Sequence, residues 1–480
     1  MLIIKNKIMS KFLSNSNQFK YYKNNFNKLK KENGKLKKSN VSLKKKNSSL
    51  RNELDFSNQI INDLKNFYIL NKDSLKNNQS NSKKKLLYVL HSGSGGTPKN
   101  VFDISKNITV DFDIYLLTAN NDDMILYHFI GNEFRKINEW TLYSGWYIEK
   151  TYIMEYSNIY LNILINYSID MVHIHHLLFH TFDLPRLCKE LEIPVILSIH
   201  DLYFICPAYT LLDGDLKFCH GKCINSRSEK NCFMPMSDIS KIKNMKSFVY
   251  NWRYMVSQMF SDISYFITPT NYIKNILFEN YDLDENNFSI IEHGLELNEV
   301  KEELFEIPSI EEPTKILFLG NLHPQKGINI IKELYDIDKD SNLEFHFLGF
   351  TPSYLKNIGI HHGKYDYEDL YEHIKNIKPS FIGIFSICAE SFSFTLSEAW
   401  NFGIPVLVSK LGALEERVLE NDGGWFINIY DMDETYNIIS SIIGDQEKYC
   451  SKQKQIQNIQ LKSIDSMVED YLQIYNNINY

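Results

Sequence analysis

Apolar residues recur along this chain in two rhythms. Between residues 19 and 68 the period is seven. Tyr22, Leu29, Leu36, Leu43, Leu50 and Leu64 share one heptad position, broken once at Ser57; Phe26, Asn33, Asn40, Asn47, Leu54 and Ile61 share the other. Leucine at d with asparagine at three a positions predicts a parallel, two-stranded α-helical coiled coil. The buried asparagines and Gly34 weaken it. A Lys/Asn-rich segment that stays unfolded is the alternative. Residues 1–18 precede it as a tail, and residues 69–84, polar and without period, follow as a linker.

From Lys85 the rhythm changes. Short unbroken apolar runs (LLYVLHS, FDIYLLTA, DMVHIHH, IPVILSIHD, SYFITPT, KILFLG, LEFHFLGF, FIGIFS, PVLVS) alternate with segments whose apolar residues fall at helical spacing. Such runs are strands buried on both faces, and the alternation predicts parallel sheets in an α/β protein. The polar stretch KEELFEIPSIEEPT divides this body. The expected parts are two doubly wound Rossmann-like domains facing a cleft, residues 85–300 and 315–462, joined by residues 301–314 and followed by an amphipathic helix over 463–480. Residues 120–168 are rich in aromatics and carry no motif.

The most informative stretch runs from Phe381 to Ser409. It predicts a strand, a loop holding Glu390, a helix, and a second strand. Ser391 and Ser393 are N-cap candidates. Gly403 stands where the helix should end, two residues before Pro405. Leu396, Ala399, Trp400 and Gly403 mark the packed face, and Glu398 points away from it. Glu390 lies beyond the carboxyl end of a strand, where open α/β sheets bind ligands. The amides of the helix's first turn favour an anion there.

Other candidates sit at similar places. Gly93, Gly95 and Gly96, then Thr97 as an N-cap and Pro98, form a glycine loop between strand and helix that matches neither the dinucleotide fingerprint nor a P-loop. His200 and Asp201 end a strand; His175 and His176 are weaker candidates of the same kind. Cys206, Cys219, Cys223 and Cys232 cluster in sequence. Four thiolates suffice for a structural zinc, but the paired C-x2-C knuckles are missing, and an ordered loop of reduced thiols is the alternative.

Composition narrows the class. With 480 residues, 44% hydrophobic and 23% charged, there is room for two or three domains. No apolar run is long enough to span a membrane, and the lysine-broken start is a poor secretory signal, so a cytoplasmic protein is expected. Residues 1–85 carry 21 Lys/Arg against 5 Asp/Glu, a balance of +16; the remainder carries 31 against 54, or −23. An acidic body excludes a specific nucleic-acid binder. The basic arm can bind nucleic acid or anionic lipid, or dock on the acidic body of its own or another copy; a homodimer at an anionic membrane, cytoplasmic but peripheral at the inner face, is the expected arrangement.

The pattern E-S-F-S-F-T-L-S-E-A-W-N-F-G-I-P-V resembles the E-x7-E signature of family-4 glycosyltransferases of the GT-B fold, and the resemblance extends over about residues 86–475. It implies a retaining transferase that uses a nucleotide-sugar donor and needs no metal or other cofactor for catalysis. The acceptor would be a glycan or a lipid-linked sugar, in cell-surface polysaccharide or glycoconjugate biosynthesis. Residues 120–168 would shape the acceptor side. Glu390 and His200 would face the donor sugar, Glu398 the ribose, and Gly95 and Gly96 the cleft. Gly320, Asn321 and Lys326 match G-R-x-x-x-x-K-G with Asn for Arg, which leaves one cation fewer for the diphosphate unless His323 or helix amides compensate. Ser391 and Ser393, flanking Phe392, stand where glycine is frequent. Gly412, with Glu416 and Arg417, would lie near the base and ribose, and the last helix would cross back to the first domain. A nucleotide-sugar epimerase and a non-catalytic coiled-coil tether are the competing classes.

Overall fold

Residues Leu86 to Leu90 are buried without a break in the first strand, as a strand covered on both faces requires. The computed structural model describes residues 83–93, 95–223, 232, 245–297 and 304–478. The tail, the coiled coil and nearly all of the linker lie outside the described residues. Residues 79–480 form one unit.

The first domain contains β1 (Lys84–His91), β2 (Phe112–Ala119), β3 (Asp123–Ile130), β4 (Glu133–Thr141), β5 (Met171–Ile174), β6 (Val195–Ser198), β7 (Tyr265–Thr268) and β8 (Phe288–Ile290). They form one sheet of order β4-β3-β2-β1-β5-β6-β7-β8. Its helices are α1 (Gly96–Asn107), α2 (Met154–Asn166), α3 (Leu184–Glu190), α4 (Met245–Phe260) and α5 (Asn271–Phe278). All strand pairs are parallel except β2/β3 and β3/β4. The β3–β4 hairpin fills much of the stretch that had no sequence motif. Its turn is Gly131–Asn132, with φ of 62° and 63°. Positive φ at both central residues matches the strand twist of a two-residue hairpin.

The second domain contains β9 (Thr314–Leu319), α6 (Ile328–Ile337), β10 (Leu343–Leu348), β11 (Ile360–Gly363), α7 (Leu370–Ile377), β12 (Phe381–Ile384), α8 (Phe394–Asn401), β13 (Val406–Ser409), α9 (Ala413–Asn421), β14 (Gly424–Ile427), α10 (Met432–Ile443) and α11 (Gln446–Ile456). Its sheet, of order β11-β10-β9-β12-β13-β14, is parallel throughout. The strand order reverses between β9 and β12, and in the first sheet between β1 and β5. Loops leaving a reversal diverge to opposite faces and open a crevice. The glycine loop follows β1, His175 and His176 follow β5, the Lys326 loop follows β9, and the Glu390 loop follows β12.

α12 (Ile464–Asn477) returns to the first domain. Met467, Val468, Tyr471, Ile474 and Tyr475 share a core with Leu86, Tyr88 and Ile114. The Tyr475 hydroxyl lies 2.7 Å from His173 Nδ1 and 3.1 Å from the Tyr88 hydroxyl.

Gly327 is the tightest glycine. It precedes α6 at φ 76°, and a Cβ there would lie 1.9 Å from the Phe385 carbonyl oxygen. Gly327→Ala therefore meets both an unfavourable backbone and a backbone wall. We expect a loss of at least about 2 kcal/mol. Urea unfolding measures it, and a midpoint shift worth less than half of that would mean the loop yields.

Candidate active site

The loops after β9 and β12 bring their charges together. Lys326 Nζ donates to Glu390 Oε1 at 2.6 Å, and Ser386 Oγ donates to the same oxygen. Burial alone would raise the Glu390 carboxyl, but the Lys326 ammonium and these hydrogen bonds hold it below the ordinary carboxylate range. Lys326 keeps 41% of its side chain exposed against 15% for Glu390, so the cation is the solvent-facing partner. Gly412 backs the loop: Ala413 N donates to Glu390 O at 2.9 Å, and a Cβ on Gly412 would come within 2.7 Å of that oxygen. Gly320 leaves β9 at φ 90°, and Asn321 beside it is exposed.

Ser393 is the N-cap of α8, its hydroxyl accepting from Leu396 N; it takes a φ of 71°, the region that favours glycine. Ser391 does not cap the helix, and its carbonyl accepts from Thr270 Oγ1 of the first domain at 2.9 Å. The Phe392 ring is buried, with the Arg417 guanidinium 4.0 Å from its centre. Arg417 donates to Phe392 O (3.0 Å), Ser393 O (3.2 Å) and Ser397 Oγ (2.8 Å), bracing the loop from behind. Glu416 accepts from Asn271 N and Tyr272 N and so caps α5 of the other domain. Both residues lie in α9, and through these bonds they tie the two domains and the Glu390 loop together.

Glu398, turned away from the helix's own packed face, is nevertheless buried. Only 9% of it is exposed. Burial raises its carboxyl to about 7, against the pull of Lys99 from α1. Tyr365 lies close enough that burial and the Glu398 charge raise its hydroxyl to about 12.

The first domain supplies a wall of rings. His175 Nδ1 and His200 Nε2 are 2.9 Å apart, and the rings stack at 15°. His200 stacks on His293 (5.2 Å, 18°), and His293 on Phe394 of α8 (5.1 Å, 9°). Burial lowers His200 to about 3 and His175 and His293 well below the usual histidine range, so the column is neutral. His175 Nε2 and His200 Nδ1 are buried with no hydrogen-bond partner in the protein. One of the pair must donate to the other. A bare nitrogen is easier to leave on fully buried His175 than an N–H, so His175 donates and His200 carries hydrogen on Nδ1. His176 is fixed too: Leu178 N donates to its Nδ1, and its Nε2–H donates to Asp201 at 3.1 Å. The sequence ranked His175 below His200; its anchoring role is visible only across β5 and β6.

α1 starts at Gly96 with Gly95 as its cap, two residues before the predicted start, so Thr97 and Pro98 lie inside the first turn. A Cβ on Gly96 would come within 2.8 Å of the Phe394 ring, so the glycine admits the second domain. The four clustered cysteines lie within electrostatic reach of one another, and burial raises Cys219 to about 11. No disulfide joins them, and among the described residues no three His, Cys, Asp or Glu side chains are grouped to hold a metal ion.

Sequence comparison matches the family described as Glycosyltransferase Family 4 to residues 110–299 and that described as Glycosyl transferases group 1 to residues 300–459. The two matches adjoin and together cover residues 110–459, every strand of both sheets except β1. The chain belongs to glycosyltransferase family 4. No curated protein matches it significantly in sequence. Among solved structures, this transferase resembles Anabaena HepE in complex with UDP and glucose, at 12% identity and a TM-score of 0.54, over 82% of this chain and 100% of that one. It also resembles a glycosyltransferase from Rickettsia africae (15%, TM-score 0.55, 82% and 98%) and sucrose-phosphate synthase from Thermosynechococcus elongatus (14%, TM-score 0.53, 82% and 98%). At such identities the likeness establishes the GT-B fold. No helix among the described residues is long and apolar enough to cross a membrane.

Proposed function

We propose that this transferase moves a sugar, with retention, from a nucleoside-diphosphate sugar to a hydroxyl of a glycan or lipid-linked acceptor. The carrying observation is the Lys326–Glu390 pair, 2.6 Å apart at the crevice between β9 and β12. In the reaction the bond from the anomeric carbon to the diphosphate oxygen breaks. A bond to the acceptor oxygen forms, and the acceptor's proton passes to the departing diphosphate oxygen. Lys326 and the first amides of α8 oppose the charge that grows on the departing diphosphate. Glu390 and the Nδ1–H of His200 orient the sugar, and Glu398 accepts from the ribose. The Anabaena structures hold UDP with glucose, UDP alone, and UDP-glucose, which supports this donor class.

These groups supply the charge stabilisation a divalent ion would otherwise give. Release of nucleoside diphosphate is therefore expected to proceed unchanged in EDTA, and a requirement for Mg²⁺ or Mn²⁺ would defeat this mechanism. Thermal shift against UDP-, GDP- and ADP-sugars identifies the donor, since a ligand at 100 times its Kd adds about 2.7 kcal/mol. Donor returned as its epimer without acceptor would instead select an epimerase. No response to any donor would favour a tether. The heptads of residues 19–68 and the basic arm support a dimer held at an anionic membrane face, with catalysis on its cytoplasmic side.

A further inference from the structure

Asn321 places an uncharged side chain where the GT-B loop ordinarily has arginine, and Lys326 is already engaged by Glu390. A diphosphate carries at least two negative charges, so the second domain is a cation short. The first domain brings one to the side of α8. Lys99 stands at the end of the first turn of α1, three residues after Gly96. Its ammonium lies 5.3 Å from the Tyr367 ring centre and 6.0 Å from that of Phe394, both on the second domain. It is also the charge that draws buried Glu398 back toward ionisation. Phe394 is the first residue of α8, so Lys99 lies beside the side chain that opens that helix.

Among the described residues the Lys99 ammonium, with three donors, makes one hydrogen bond, to Asp103. Its partner in α1 is Asp103 at 2.6 Å, an i,i+4 pair with the basic residue first, the weaker orientation. Lys99 keeps 32% of its side chain exposed, so a ligand can reach it.

We propose that Lys99 is the second cation for the donor diphosphate, supplied across the interdomain cleft in place of the arginine missing at Asn321. This rests on the nucleotide-sugar reading above. Phosphate oxygens at the start of α8 would take a hydrogen bond from Lys99 on one side and Lys326 on the other. Donor binding then couples the two domains through charge.

The test is calorimetric titration of the full chain with the nucleoside, its monophosphate and its diphosphate, in the uridine, guanosine and adenosine series. Lys99→Met should weaken the diphosphate at least tenfold and leave the nucleoside within twofold; Lys99→Arg should stay within about threefold of wild type for all. Equal weakening of nucleoside and diphosphate by Lys99→Met would place Lys99 behind Glu398 and overturn the proposal, as would an unchanged diphosphate affinity. If the wild-type chain binds none of these compounds, the transferase reading falls and this inference falls with it. Wild-type binding without a Lys99 effect removes the inference alone.

Discussion

Lys326→Met is expected to lower sugar transfer by about 10²–10³-fold, the usual effect of removing one preorganised charge-stabilising group. The change removes the ammonium from the leaving diphosphate and strands Glu390. That carboxylate, 15% exposed, is held below its ordinary pKa by Lys326 after burial is overcome. A depressed carboxyl stabilises the fold above its ordinary pKa and loses that contribution as pH falls through the depressed value. In Lys326→Met this contribution disappears, and the protein should lose about 1–2 kcal/mol at neutral pH, less than for a fully buried pair because 41% of the Lys326 side chain is exposed. Lys326→Met/Glu390→Gln should recover the stability but not the activity. Steady-state rates and urea midpoints on the three proteins separate the effects. Recovery of activity in the double variant would show that Lys326 only neutralises Glu390.

Glu398→Gln is expected to stabilise the free protein and weaken donor binding. Burial lifts the Glu398 carboxyl from 4.5 to about 7. Between those values the folded chain holds a proton that the unfolded chain has released, so stability falls as pH rises through this window and stays low above it. Glutamine removes that penalty. Relative to wild type, the variant should gain roughly 2–3 kcal/mol at pH 8 and almost nothing near pH 4.5. Because a charged acceptor for ribose hydroxyls is lost, nucleotide affinity should fall about tenfold. Urea unfolding at both pH values and a nucleotide titration at pH 8 measure this. A variant that is no more stable than wild type at pH 8 would mean that Lys99 fully offsets the burial of Glu398.

The β3–β4 hairpin was legible and unread: Gly131–Asn132 between DMILYHFI and EFRKINEWT is a two-residue hairpin turn at the sheet edge. Most parallel strands were plain because burial on both faces makes an apolar run; β14 (Gly424–Ile427), short and led by glycine, was not among the expected strands. The last helix was plain because its tyrosines recur at helical spacing. Glu398 was misjudged for a physical reason: the face opposite a helix's own packed stripe is exposed only if nothing else covers it. Here the first domain brings α1 and Lys99 toward that face.

The sequence by itself determined the α/β class, the boundary between two sheets, and the loops that carry Lys326 and Glu390. Local periodicity, helix ends and the positions of strand termini suffice for those. Only the tertiary structure decided which groups meet. The reversal of strand order set Lys326 against Glu390. The approach of the two domains stacked His200, His293 and Phe394, buried Glu398, placed Lys99 beside it and turned Glu416 into a cap on another domain's helix. Those pairings join residues up to 299 positions apart, from Lys99 to Glu398, and no local rule of spacing reaches so far.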